Sequence, residues 1–221
     1  MSYARFAVYY LPPDGAFAQA GASWLGWDAG RGVSARQPDL PGLHDVTMTP
    51  RKYGFHGTLK PPFRLADGMT EDGLRAAMAV LARQVAPARC DGLGLHRIGG
   101  FLALTPQGDT AALAEVAAAC VTQLDDFRAP AREAELARRR AGGLSARQDA
   151  LLTRWGYPYV LEEFRFHLTL TGRLDDLAPW EDAARAHFPP LPAPFVVDQI
   201  ALVGERPDGC FQLIQRYALT G

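Results

Sequence analysis

Phe55-His56-Gly57-Thr58-Leu59 and Phe166-His167-Leu168-Thr169-Leu170 spell one pattern, F-H-x-T-L, twice in the chain at an offset of 111 residues. The segments after each copy also repeat. Residues 53–60 read as a strand. Thr70 can cap a helix that opens with Glu71 and Asp72 and runs to about Ala86. Gly92–Ile98 and Phe101–Thr105 then form a hairpin about Gly99-Gly100. After the second copy (strand 164–171) come a helix over 177–187 and two runs, Phe195–Val203 and Cys210–Tyr217, that pair as another hairpin. A β-α-β-β unit used twice predicts an α+β fold. Its two pseudo-symmetric lobes would have antiparallel sheets flanking a central cleft.

The remaining segments fit one domain over residues 1–221, with repeat halves at about 53–106 and 164–217. Arg5–Leu11 reads as a strand and Phe17–Trp27 as a short helix. Residues 28–50, rich in Gly, Pro and Asp, read as a long loop. Thr110–Leu124 is an Ala-rich helix. Residues 128–160 carry two more helical stretches, the second ending at Gly156, as an insertion between the halves.

Composition narrows the class. The chain has 221 residues, 48% hydrophobic and 21% charged, enough for a core without metal or disulfide staples. No apolar run approaches the roughly 20 residues needed to span a bilayer, and no signal peptide is evident. A net charge of -1 argues against coating nucleic acid by bulk charge. Cys90, Cys120 and Cys210 are odd in number and far apart, which fits neither a disulfide framework nor a zinc site. They read as reduced packing residues in a cytoplasmic protein. The only lysines, Lys52 and Lys60, flank the first motif.

Strand alternation says what each motif presents. His56, Thr58 and Lys60 would share one face of the first strand. Arg165, His167, Thr169 and Thr171 would share one face of the second. Phe55, Leu59, Phe166, Leu168 and Leu170 face the other way, toward helices. A pseudo-two-fold axis would set the imidazoles across one bound group. Two imidazoles and two hydroxyls suit a phosphodiester. One neutral His takes a proton from attacking water and the other, protonated, gives one to the departing alkoxide. The residues leave open which His does which. Thr58 and Thr169 would donate to non-bridging oxygens. Lys60, Arg165 or Arg173 would add positive charge. No cofactor is needed, and neither motif strand offers Asp, Glu or Cys ligands beside its His for a metal. Tyr9, Tyr53 and Arg51 are further candidates for the cleft. His44, His96 and His187 lie outside the repeat and read as surface or packing residues.

The paired motif on a duplicated fold resembles the 2H phosphoesterase superfamily, whose members include RNA 2′,3′-cyclic phosphodiesterases. The resemblance implies His56 and His167 as the catalytic pair and Thr58 and Thr169 as phosphoryl-oxygen ligands. A narrower resemblance, to the DUF1045 family, is carried by YGFHGTLKPPF (53–63), LDDFRAPAREAELARRR (124–140), WGYPYV (155–160) and FRFHLTLTG (164–172). That family is associated with phosphonate metabolism through its occurrence near carbon–phosphorus lyase genes. The resemblance therefore implies a small cyclic phosphodiester such as 5-phosphoribosyl 1,2-cyclic phosphate. RNA with a cyclic phosphate end is the alternative substrate. A non-catalytic phosphate-binding module is the alternative from another class. No membrane or obligate protein partner is indicated.

Arginines crowd the insertion: Arg128, Arg132, Arg138, Arg139, Arg140 and Arg147. Two readings stand side by side. Arg138 and Arg139 belong to a cap that binds a second phosphate, or the arginines pair with Glu133 and Glu135 on a solvated helix face. Trp155, Tyr157 and Tyr159 either stack on substrate or anchor the cap.

Overall fold

Residues 3–221 are described by the structure, a computed structural model. The chain opens with β1 (Phe6–Tyr10), α1 (Ala16–Leu25), a small ribbon of β2 (Trp27–Asp28) and β3 (Val33–Ser34), and α2 (Leu43–Arg51). The first half of the repeat is β4 (Gly57–Phe63), α3 (Glu71–Gln84), β5 (Ala88–Cys90), β6 (Gly92–Ile98) and β7 (Phe101–Gln107). Then come α4 (Ala111–Gln123), a 3₁₀ turn Asp125–Phe127, and the cap helices α5 (Glu133–Arg140) and α6 (Ala146–Trp155). The second half is β8 (Leu168–Thr169), α7 (Ala178–His187), β9 (Phe195–Val197), β10 (Gln199–Glu205) and β11 (Phe211–Ala218).

The α+β class and the antiparallel pairing match the sequence expectation. The strands of both halves join in one seven-stranded sheet, ordered β11-β10-β1-β4-β8-β7-β6. The motif strands meet at its centre through one residue pair, Gly57 with Leu168. Away from the sheet, β5 pairs with β9, again one strand from each half. Equivalent strands therefore pair with each other twice, as a pseudo-two-fold axis requires.

One face of the sheet is covered by helices. Trp24 and Leu25 of α1, Leu74, Met78 and Leu81 of α3, and Val116 and Cys120 of α4 bury against Phe6, Val8, Tyr10, Leu59, Leu102, Leu104, Leu168 and Leu202. The opposite face carries a smaller apolar patch, Ala7, Tyr9, Ala201, Val203 and Phe211, roofed by Trp27 and Ala29. The cap anchors separately, with Leu151 and Val160 against Val121 and with Trp155 and Tyr157 alongside.

Local signals placed several elements well. Thr70 caps α3 by accepting a hydrogen bond from the Gly73 N–H, and Gly156 ends α6 in the left-handed region. Three segments differ from expectation. Residues 28–50 are not one long loop, because they include β2–β3 and most of α2. That helix has no side-chain cap and contains Pro50, so its signal is weak. Polar contacts hold it instead: Arg51 Nε donates to the Leu25 carbonyl at 2.8 Å and buried Thr47 Oγ1 to the Leu43 carbonyl at 2.7 Å. β4 begins at Gly57, not Tyr53, and continues through Pro61 and Pro62. The prolines are tolerated because β8 pairs with β4 only at Gly57, which leaves that edge of the strand free beyond it. The second motif strand is only two residues long, as the chain leaves the ladder on both sides of Leu168–Thr169.

Candidate active site

Both motif histidines stand one residue before the junction, His56 ahead of Gly57 and His167 ahead of Leu168. Carried one residue further each way, the antiparallel register sets His56 across from Thr169 and Thr58 across from His167. The two imidazoles are then diagonal neighbours, with Cα atoms about 7–8 Å apart. Adjacent antiparallel strands thus gather two His and two Thr on one face.

Each ring is oriented the same way. His56 Nδ1 lies 2.9 Å from the Gly54 carbonyl and His167 Nδ1 lies 2.8 Å from the Arg165 carbonyl. A carbonyl only accepts, so each Nδ1 carries a proton and each Nε2 lone pair is left for chemistry. His56 Nε2 accepts from the Thr58 hydroxyl at 3.0 Å, which gives the H-x-T spacing a local physical reason. Gly54 adopts φ +74°, and a Cβ there would meet Ala29 Cβ at 2.5 Å. Only glycine lets this turn aim its carbonyl back at His56. Behind the pair, the Phe166 ring fills the space a Gly57 Cβ would occupy, at 2.2 Å.

Tyr9 stacks on His56 with ring centroids 3.9 Å apart and an interplanar angle of 28°. Tyr53 lies beside both, tilted against His56 at 6.1 Å and stacked on Phe211 at 5.4 Å. Enclosure by these rings removes water from most of His56, which keeps an edge to the cleft. Burial, opposed by the Gly54 hydrogen bond and reinforced by repulsion from His167, lowers the His56 pKa to about 4. Burial also pushes the Tyr9 phenol well above its usual range, so it stays neutral.

Two expected site residues lie elsewhere. Lys60 does not share the His56 face. Tyr9 pairs with Thr58 but Val8 pairs with Lys60, so Leu59 is an extra residue in a β-bulge. The bulge turns Lys60 to the helical face. There it is fully buried, donates to the Val121 carbonyl at 2.9 Å, and meets Asp125 at 3.6 Å. Burial lowers its pKa to about 8. Thr171 is also buried and accepts from the Leu102 N–H at 3.0 Å, closing the end of the short strand. Arg165 is exposed and serves the site through its carbonyl. Arg51 is bound up with α2.

The cap contributes Arg139, whose guanidinium lies 4.7 Å from the centre of the Tyr157 ring. Tyr157 packs with Trp155 beside Val121, Leu151 and Val160, which anchors the cap to α4. Arg138, on the same helix, is exposed and points to a neighbouring crevice. Sequence reading passed over Arg5, Phe101 and Phe211. Arg5 precedes Ala7 and Tyr9 on alternate positions, so the period of two was the signal for it. It pairs with Glu205 through two 2.6 Å contacts and lies over Phe211 at 5.7 Å. Phe101 lies 5.7 Å from His167, a cross-strand contact that no local pattern shows. Among the described residues no three His, Cys, Asp or Glu side chains gather, and no helix is long and apolar enough to cross a membrane.

The chain is 40% identical over 235 residues to the ribose 1,5-bisphosphate phosphokinase PhnN of Janthinobacterium sp. (strain Marseille), an alignment covering 100% of this chain and 52% of that protein. It is also 40% identical over 189 residues to the PhnN of Laribacter hongkongensis (strain HLHK9), covering 83% of this chain and 44% of the relative. The chain thus spans about half the length of the curated relatives it matches. Among solved structures, TT0787 of Thermus thermophilus superposes with a TM-score of 0.47 at 17% identity, with 98% of each chain covered. Escherichia coli LigT complexed with 3′-AMP gives 0.45 at 16% identity, with 100% of each covered. The profile of a family described as "Protein of unknown function (DUF1045)" matches residues 58–212, most of the length, and the chain belongs to that family.

Proposed function

We propose that the protein is a metal-independent phosphodiesterase that opens a small cyclic phosphodiester by paired-histidine catalysis. The supporting observation is the matched pair of imidazoles, each held as the Nδ1–H tautomer by the carbonyl two residues upstream, on adjoining strands of one face. Their unequal surroundings divide the labour. His56, kept neutral by burial, is the base, which leaves the acid role to His167. Water attacks phosphorus as His56 Nε2 takes its proton. The ring P–O bond breaks and the alkoxide receives the proton on His167 Nε2. The product is a phosphomonoester, and one proton exchange with solvent restores the pair. Thr169 donates to a non-bridging oxygen as charge builds, and Thr58 joins it by turning its hydroxyl away from His56 Nε2, which frees that lone pair for the water proton.

The curated relatives are named for a kinase acting on ribose 1,5-bisphosphate. This chain contains no G-x-x-x-x-G-K-[ST] run, the loop that cradles nucleotide phosphates in many kinases. A hydrolase that opens a 1,2-cyclic phosphate on a 5-phosphoribosyl group would yield ribose 1,5-bisphosphate, which fits a role beside such a kinase in phosphonate metabolism. The test is hydrolysis in EDTA of 5-phosphoribosyl 1,2-cyclic phosphate, 2′,3′-cyclic nucleotides and a cyclic-phosphate-ended RNA. Wild type should turn over the sugar phosphate best, and His56→Ala and His167→Ala should each lose at least about 100-fold in kcat. Binding without turnover of any member would overturn the reading in favour of a phosphate-binding module.

A further inference from the structure

The Tyr9 ring lies against His56 at 3.9 Å, a contact that phenylalanine would make equally well. Its hydroxyl is therefore the group that needs a reason. Tyr9 is 1% exposed, yet the hydroxyl has no hydrogen-bond partner among the described residues. The neighbouring strands offer none. Register sets Ala201 on one side of Tyr9 and Thr58 on the other, and the Thr58 hydroxyl is turned to His56 Nε2 at 3.0 Å. Of the charged groups beside the phenol, Arg5 and Glu205 are bound to each other through two 2.6 Å contacts. Phe211 and Trp27 bring aromatic carbon, and the Trp27 N–H is used on the Phe211 carbonyl. A phenol hydroxyl taken out of bulk water costs free energy unless something bonds to it. This one is not sealed: among the described residues, the fully buried side-chain atoms without a partner are Arg139 Nε and Tyr217 Oη. The hydroxyl keeps a small opening, and what fills it must be small and polar.

Two hydrogen bonds through one water span about 5–6 Å, which covers the gap a stack this close leaves between a phenol oxygen and an imidazole nitrogen. Tyr53, the other phenol here, stands farther from His56, at 6.1 Å between rings. We propose that the Tyr9 hydroxyl holds the attacking water against His56. The water directs one hydrogen to His56 Nε2 and the other to the phenol oxygen, which leaves a lone pair of its oxygen for phosphorus. As the new P–O bond forms and the ring P–O bond breaks, the first hydrogen passes to His56 as a proton. The second stays on the new phosphate hydroxyl. Tyr9 exchanges no proton, since burial keeps its phenol neutral. The proposal rests on the phosphodiesterase reading and deepens it, because it assigns the nucleophile as water and not the hydroxyl of a second substrate.

Tyr9→Phe tests this, because it keeps the stack and removes only the hydroxyl. On the best substrate of the cyclic-phosphate panel, kcat should fall about ten-fold or more with KM nearly unchanged. The thermal melt and the acidic limb of the pH profile near 4 should stay as in wild type. The second readout is the choice of nucleophile in aqueous methanol. Methanol has one hydroxyl hydrogen, which His56 takes, so it has none left for the phenol. Wild type should therefore favour water, and Tyr9→Phe should raise the share of methyl diester product about five-fold or more. An active wild type with unchanged kcat and methanol share in Tyr9→Phe overturns the water role and leaves the phosphodiesterase reading standing. A rise in KM alone would put the hydroxyl on the substrate, and a lowered melt with wild-type kcat would make it structural; either overturns the proposal. No turnover of any panel member by wild type overturns both readings.

Discussion

At the scale of residues, the site is a contest between burial and hydrogen bonding around one imidazole. Gly54 holds the proton on His56 Nδ1, while the rings of Tyr9 and Tyr53 withhold water. A lowered pKa in the folded state means that the unfolded chain binds the proton more readily between about pH 4 and the ordinary 6.5. Stability should therefore fall as pH drops through that window, by up to about 3 kcal/mol from this group. Urea unfolding of wild type and His56→Gln at pH 7 and pH 4.5 checks this. The variant should lose less stability on acidification, and equal losses would show that His56 titrates normally. The F-H-x-T-L repeat made His56, His167, Thr58 and Thr169 legible, because alternation and duplication are both written along the chain. Arg5 was equally available by alternation from Tyr9, but it lies outside the repeat. Phe101 reaches His167 through a tertiary contact that carries no local signature.

At the scale of elements, β4 shows how one added residue changes a role. Strict alternation places Lys60 beside His56, but the bulge at Leu59 turns it into the helical layer. There it ties the last turn of α4 to the turn at Asp125. Lys60→Met would leave a buried carbonyl without its donor and Asp125 with one cation fewer. A loss of about 2 kcal/mol is expected from denaturant unfolding, with kcat/KM of the folded protein unchanged. A large fall in kcat/KM without a stability loss would return Lys60 to the site. Gly57→Ala should cost about 2 kcal/mol or more, since its Cβ would enter the Phe166 ring, and a thermal melt at unchanged stability would contradict that packing. Bulges are decided by pairing partners, which is why β4 could be foreseen as a strand but its register could not. The helix α2 was missed for a related reason. It lacks a side-chain cap and carries Pro50, and its packing side is only Leu43, Val46, Thr47 and Pro50, backed by polar contacts of Thr47 and Arg51.

At the scale of the whole molecule, the duplication explains the site better than either half does. The halves pair through β4 with β8 and through β5 with β9, so the axis that relates them passes close to both motif imidazoles. Neither half alone brings two motif histidines together. The cap breaks this symmetry. It packs against α4 through Leu151 and Val160 on Val121. The β-α-β-β repeat was visible in the sequence through turn and capping residues such as Thr70 and Gly99-Gly100. That the halves fuse into one sheet was not, because a single pair at Gly57 and Leu168 decides it.

The most direct test of the paired-histidine account is the pH dependence of kcat/KM for the preferred cyclic phosphodiester, measured in EDTA. With His56 as a buried neutral base, the profile should be bell-shaped, with its acidic limb near pH 4 and a plateau already reached by about pH 5.5. An acidic limb at the ordinary histidine value near 6.5, or a rate that does not respond to pH, would contradict the assignment of His56 as the base.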